Sequence, residues 1–249
     1  MSNDTICYPD GNFKRSSSDR MRMLESESIN ILKKLRSISN KNVIAFSGGK
    51  DSIVVADLCS SFGIKDSISE SSFMFEKSKK EVLEIGNHFN LKMEIRDSLS
   101  WEWLSLNQKY CAPPMKIQKN LYAIRQQRTV KNYAEEKSYK AVVYGRRSQT
   151  NTVKSPIYLL KNGQIQCHPI RNWTTNDVWT YIFEKNLPFP SLYKHEIGIK
   201  EGFTAFLLPP EHFGGNVWES IHDYEPIALV KMASFHKPAN DYLNKIKND

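Results

Sequence analysis

One short segment constrains this chain more than any other: Ser47-Gly48-Gly49-Lys50-Asp51-Ser52. It follows the apolar run Val43-Ile44-Ala45-Phe46, which reads as a buried strand, and precedes Ile53-Val54-Val55-Ala56-Asp57-Leu58. The later run carries apolar residues three and four apart and reads as a helix from Ser52 to Ser61, stopped by Gly63. Two glycines between strand and helix allow a sharp turn and a close approach of backbone to a ligand. The unpaired N–H groups and the positive dipole end of the helix then face the loop, which makes an anion site from main chain. Lys50 adds a positive charge able to reach phosphate oxygens, and Ser47 and Ser52 add hydroxyl donors. Asp51 fits such a site only as a helix cap or as the holder of a cation.

The segment is not the common phosphate loop, which needs four residues between its first glycine and Gly-Lys-Ser/Thr. At 249 residues the chain has room for one large domain, or one domain with a small appendage. Its apolar share of 40 % and charged share of 25 % suit a globular protein. No apolar run is long enough to cross a membrane, and Met1 to Arg22 has no apolar leader core. The four cysteines, Cys7, Cys59, Cys111 and Cys167, form no Cys-x-x-Cys pair. That argues against a zinc site or an iron–sulfur cluster built by this chain, and the expected compartment is the cytoplasm. A formal charge of +8 favours anionic ligands, nucleotides first, and leaves nucleic acid open as a partner.

In chain order, residues 1 to 18 read as a loose polar arm, and Asp19 to Ser39 as an amphipathic helix. The first forty residues thus form an arm and helix, 41–195 a nucleotide-binding domain and 196–249 a C-terminal extension. Ile64 to Ser78 reads as a weak strand and a loop, Glu76 to Phe89 as a helix and Lys92 to Arg96 as a strand. This alternation predicts a parallel sheet with right-handed crossovers and helices on both faces, an α/β fold. Trp101 to Leu106 reads as a short helix, Tyr110 to Met115 as a loop, Gln118 to Lys137 as a long basic helix and Ala141 to Tyr144 as a strand. Gly145-Arg146-Arg147-Ser148 follows that strand, at the carboxyl edge where open α/β sheets bind ligands. Arginine's planar fork suits phosphate there. Asn162-Gly163 predicts a hairpin between Ile157–Leu160 and Gln164–Cys167. Thr174 is a predicted N-cap with Asp177 completing a capping box. Beyond Lys194 the signals weaken: Gly214-Gly215 marks a loop, Pro226 to Met232 reads as a strand and Asp241 to Lys247 as a short last turn.

Over residues 40 to 195 the chain resembles the phosphoadenosine-phosphosulfate reductase family of PP-loop ATP pyrophosphatases. That group also holds the small subunit of sulfate adenylyltransferase and FAD synthetase. Ser47 to Ser52 is similar to the PP-loop Ser-Gly-Gly-x-Asp-Ser. Gly145-Arg146-Arg147-Ser148 is similar to the family's arginine-rich loop. His168-Pro169-Ile170-Arg171-Asn172-Trp173-Thr174 through Trp179 resembles Pro-Leu-x-x-Trp-Thr-x-x-Asp-Val-Trp, and Leu187 to Tyr193 resembles Leu-Pro-Tyr-x-x-Leu-Tyr. Glu70 to Ser78 departs from the family's Asp-Thr-Gly-x-x-Phe-Pro-Glu-Thr: Glu70, Ser72 and Glu76 stand for Asp, Gly and Pro. The reductases' C-terminal Glu-Cys-Gly-x-His is missing, since no cysteine follows Cys167.

The resemblance implies an adenine nucleotide alpha hydrolase-like, Rossmann-like fold. It implies ATP, or an adenylyl sulfate nucleotide, bound with Mg²⁺ and cleaved at the α-phosphate, so that AMP passes to an acceptor the sequence does not name. Lys50, Asp51, Arg146 and Arg147 take catalytic roles, with Asp51 at the metal. Ser47, Gly48, Gly49, Ser52, Glu70, Gly145 and His168 take nucleotide-binding roles. Two alternatives stay open: an adenylyl-sulfate reductase or sulfur-transfer enzyme that uses a partner's thiol, and a nucleotide-sensing or nucleic-acid-binding subunit of a larger complex. A protein partner or a homodimer is open as well.

Overall fold

The structure, a computed structural model, describes residues 13–72, 76–111, 117, 121, 123–149, 155–194 and 217–248. Six strands form one sheet: β1 (Asn42–Ala45), β2 (Asp66–Glu70), β3 (Lys92–Arg96), β4 (Ala141–Val143), β5 (Ile157–Leu159) and β6 (Ile165–Cys167). They lie in the order β3-β2-β1-β4-β6-β5. All neighbours are parallel except β5, which pairs antiparallel with β6 at one edge. The hairpin predicted at Asn162-Gly163 is that edge, and Gly163 takes the positive φ of 80° that the turn requires. The strand order reverses between β1 and β4, the switch point at whose carboxyl ends open α/β sheets bind ligands.

Alternation along each strand sends side chains to two faces. Val43, Ile68 and Val142 pack with Val130, Tyr133 and Ala134 of the helix Thr129–Glu136 on one side. On the other face Ile44 and Val143 join a larger core that includes α1 (Ser18–Ile38), α2 (Lys50–Ser60), α3 (Glu76–His88) and the helix Thr175–Glu184. Trp101–Leu106 and Thr129–Glu136 are α4 and α5, and Thr175–Glu184 is α6. Ser17 caps α1, whose apolar stripe Met21, Leu24, Ile31, Leu32 and Leu35 is buried. The predicted capping box of α6 forms: Thr174 Oγ1 accepts from the Asp177 N–H at 3.1 Å, and Asp177 Oδ2 accepts from the Thr174 N–H at 2.6 Å. Asp177 also holds Arg20 at 2.7 Å and the Ser16 hydroxyl at 2.6 Å, so one buried carboxylate joins α1 to α6.

Some elements differ from the sequence expectation. Pro226–Ala233 is a helix (α8), not a strand, with Pro226 in the first turn where its missing N–H costs nothing. Its run of mixed apolar residues satisfies either period over so short a length. The last element is a full helix, α9 (Lys237–Asn248), and α7 (Val217–Tyr224) precedes both. Within the expected long basic helix, Ile117 and Leu121 are helical, Ala123–Arg128 is π-helical and Thr129–Glu136 is α5. Lys119, much of the loop expected at 110–115, most of the N-terminal arm and Gly214-Gly215 lie outside the described residues. Among the described residues no helix is long and apolar enough to cross a membrane.

Candidate functional site

The loop after β1 is shaped by its glycines. Gly48 takes φ +74°, and a Cβ placed there would come 2.4 Å from Val82 Cγ2 of α3. Gly49 is the N-cap of α2 and offers no side-chain acceptor. The helix ladder begins at Ile53, whose N–H donates to Gly49 O at 3.0 Å. The N–H groups of Lys50, Asp51 and Ser52 therefore have no intrahelical partner and crown a positive dipole end. The Lys50 N–H donates to the Tyr193 hydroxyl at 2.9 Å, a contact that the Leu187–Tyr193 segment gave no sign of in sequence. Ser52 Oγ donates to Gly49 O at 2.8 Å and lies 3.3 Å from Ser47 Oγ, which accepts from the Gly49 N–H at 3.3 Å. Expected as ligand donors, the two hydroxyls brace the turn.

Gly145 brings the loop after β4 against this turn. A Cβ on it would lie 2.8 Å from the Asp51 carbonyl carbon and 3.0 Å from the Ser52 nitrogen, so backbone meets backbone. The reversal of strand order thus unites Ser47–Ser52 with Gly145–Arg147.

The two arginines divide. Arg147 is 2 % exposed, and its Nε lies 2.9 Å from Asp51 Oδ1. Lys50 Nζ lies 3.5 Å from the other oxygen, Asp51 Oδ2. Asp51 therefore stands between two cations. This arrangement does not fit a direct magnesium ligand, because a metal would have to displace a buried guanidinium. Among the described residues no group of three or more His, Cys, Asp or Glu is placed to hold a metal. Arg146 is half-buried, its guanidinium 4.3 Å from the centre of the Tyr144 ring. Arg147 is thus held on Asp51, while Arg146 lies against Tyr144.

Glu70 is buried at the end of β2 and engaged on several sides. It pairs with Arg125 Nη2 at 3.0 Å and accepts from the Ser72 N–H at 3.1 Å and the Ser98 hydroxyl at 2.8 Å. Arg125 also donates to Ser72 O, so this ion pair shapes the loop at its described end. Burial pulls the Arg125 guanidinium down from its usual pKa, against Glu70, which raises it.

His168 is fully buried, its ring 5.6 Å from Tyr144 and 5.4 Å from Tyr158, nearly parallel to both. Neither ring nitrogen has a hydrogen-bond partner. Burial first, and the charge of Arg146 second, lower its pKa to about 4. The imidazole is neutral at physiological pH and is not presented at the surface. The thiols of the described residues are also out of play: burial pushes Cys111 and Cys167 up to about 12 and raises Cys59 well above its usual value.

Residues 41–225 match the phosphoadenosine phosphosulfate reductase domain. Two uncharacterized proteins of Methanocaldococcus jannaschii are 27 % and 24 % identical over 73 % and 69 % of this chain. These alignments take in 46 % and 37 % of the two relatives, so the chain spans about half their length or less. The phosphoadenosine 5′-phosphosulfate reductase of Gloeobacter violaceus is 23 % identical over 71 % of this chain and 73 % of its own. Among solved structures, the phosphoadenylyl-sulfate reductase of Candida auris, in a phosphate complex, superposes with a TM-score of 0.55 at 16 % identity, covering 73 % of this chain and 93 % of its own. The NMN synthetase of Francisella tularensis gives 0.52 at 17 %, covering 88 % and 94 %. Both are likenesses of fold.

Proposed function

Since this chain belongs to the phosphoadenosine phosphosulfate reductase family, we propose that it binds ATP at Ser47–Ser52, cleaves it at the α-phosphate and transfers AMP to an acceptor. The observation that carries this reading is the meeting of the α2 N-terminus with the loop after β4, where Gly145 lies against Asp51 and Ser52. Phosphate oxygens accept from the α2 N–H groups, a fixed set of donors that needs no reorganisation during the reaction. Lys50 and Arg146 offset the charge that builds on the departing pyrophosphate. Arg147 holds the Asp51 carboxylate, and through it the helix start, in register. When bound, magnesium would add charge neutralisation on the phosphates; the protein groups near Asp51 do not form its cage. No protein nucleophile is required, and the buried thiols offer none.

A second reading, reduction of an adenylyl sulfate with a partner's thiol, draws on the named activity of the Gloeobacter and Candida relatives. Two substrates separate the readings. ATP labelled at the α-phosphate, supplied with Mg²⁺ and cell extract as an acceptor source, should yield labelled AMP or adenylylated product together with pyrophosphate. Lys50→Ala should abolish both. Nucleotide that binds and stays intact overturns the adenylating reading, and sulfite released from adenylyl sulfate with added thiol supports the second.

A further inference from the structure

A second cavity, of about 230 Å³, opens at the carboxyl ends of β2 and β3. Its hydroxyls come from Ser71 and Ser100, its charges from Glu76, Lys79 and Asp97, and its apolar wall from Leu99 and Trp101. It stands on the same sheet edge as the phosphate loop, one strand further out. Helix α3 connects the two: Glu76 and Lys79 line the cavity, and Val82, roughly 5 Å further along the axis from Lys79, touches Gly48. The cavity is therefore a neighbour of the α2 anion site and distinct from it.

Its charge balance differs from that of the loop. Two carboxylates, Glu76 and Asp97, stand against one ammonium, Lys79, which is itself 3.6 Å from Asp97. Asp97 also accepts from the Ser71 hydroxyl. Lys231, whose Nζ lies 4.2 Å from the centre of the Trp101 ring, brings a second ammonium, so two carboxylates face two ammoniums and neither a free anion nor a free cation finds a surplus of opposite charge. What remains compatible is a neutral molecule with hydroxyl donors for the carboxylates and a flat apolar face for Trp101 and Leu99.

We infer that this cavity binds the acceptor, and that the acceptor is a neutral, hydroxyl-bearing ring of monosaccharide size rather than an oxyanion. The inference rests on the adenylating reading above and supplies its substrate class. In the transfer, a hydroxyl oxygen of the ring forms the bond to the α-phosphorus, the bond from that phosphorus to the bridging oxygen breaks, pyrophosphate leaves with the electron pair, and the hydroxyl proton passes to solvent.

Saturation-transfer NMR with millimolar D-ribose on the full chain tests this without turnover. Transfer to the ribose ring protons is expected, and it should persist when ATP is added, since ATP occupies the neighbouring loop. Glu76→Ala should weaken the ribose affinity about tenfold or more, the loss expected for one hydrogen bond to a charged group. Trp101→Leu should weaken it as well, with thermal melting used to confirm that both variants fold. Competition by sodium sulfate on the wild type gives a readout that no variant's folding can spoil. Absence of transfer, displacement of ribose by ATP, displacement by sulfate, or unchanged transfer in both folded variants would overturn the inference; displacement by ATP would assign the cavity to the nucleotide's own sugar. Ribose binding without any ATP cleavage would defeat the adenylating reading alone, and cleavage without ribose binding would defeat the cavity assignment alone.

Discussion

Replacing His168 with phenylalanine should stabilise the protein in mild acid and leave it almost unchanged at neutral pH. The wild-type imidazole is fully buried between two tyrosine rings, and its pKa falls from 6.5 to about 4. An unfolded chain takes up this proton near pH 6.5, and the native chain only near pH 4. Between those values the unfolded state binds more protons, so native stability drops as pH falls. Relative to neutral pH, the shift from 6.5 to about 4 is worth about 1 kcal/mol near pH 5.5 and about 2–3 kcal/mol near pH 4.5. Phenylalanine keeps the ring stack and removes the proton. At neutral pH it also removes two unpartnered buried nitrogens, a gain of about 1 kcal/mol or more that the bulkier ring largely offsets. Urea unfolding of both proteins near pH 7.5, 5.5 and 4.5 measures the difference directly. Glu225, whose burial raises its pKa, acts with the opposite sign in this range, and His236, lowered by burial, with the same sign. Both cancel in the comparison of variant with wild type. A variant whose stability declines with acid as steeply as the wild type's would refute the reasoning.

Gly145→Ala should lower nucleotide affinity and cost about 1–3 kcal/mol of stability, because the added methyl meets Asp51 and Ser52 backbone rather than a movable side chain. Fluorescence titration with an ATP analogue and thermal unfolding together check it, and full binding in the variant would show that the two loops separate at no cost. Arg125→Met leaves the Glu70 carboxylate buried without its cation and should destabilise by about 3–5 kcal/mol, whereas Glu70→Gln combined with Arg125→Met should recover most of that loss. A double-variant loss equal to the sum of the losses of Arg125→Met and Glu70→Gln measured singly would mean that the pair is not energetically coupled.

Local signals in the sequence were legible where one stretch decides its own conformation. The Asn162-Gly163 turn, the Thr174 capping box and the glycine loop between strand and helix each carry their instructions within a few residues. The reversal of strand order could be anticipated only in kind, from the alternation of elements. The roles of single side chains at the site were less legible, because distant contacts set them. Arg147 and Arg146 are adjacent, yet one is buried on Asp51 and the other lies against Tyr144. Glu70 became a structural anchor because Arg125 arrives from a helix 55 positions later, a separation given by 125 less 70. Tyr193 reaches the Lys50 N–H across 143 residues. Pro226–Ala233 misled for a different reason: eight mixed apolar residues do not distinguish a helix from a strand until packing decides.

The start of α3 has a consequence for where charge can land. Its first two N–H groups, of Glu76 and Lys77, donate at 3.0 and 3.3 Å to the carboxylate of Glu225, which arrives from the turn between α7 and α8. Two helices thus begin on one edge of the sheet, and the protein has given one of them an anion of its own. An incoming phosphate finds the first N–H groups of α3 already taken by a carboxylate, whereas α2 gives only its Lys50 N–H to a neutral hydroxyl, that of Tyr193, so the fold selects the address by keeping a charge of its own on the N–H groups of one helix start and none on those of the other. The same tether makes the C-terminal helices part of the wall of that edge: to loosen them is to expose a second positive helix end, and the choice between the two would be lost.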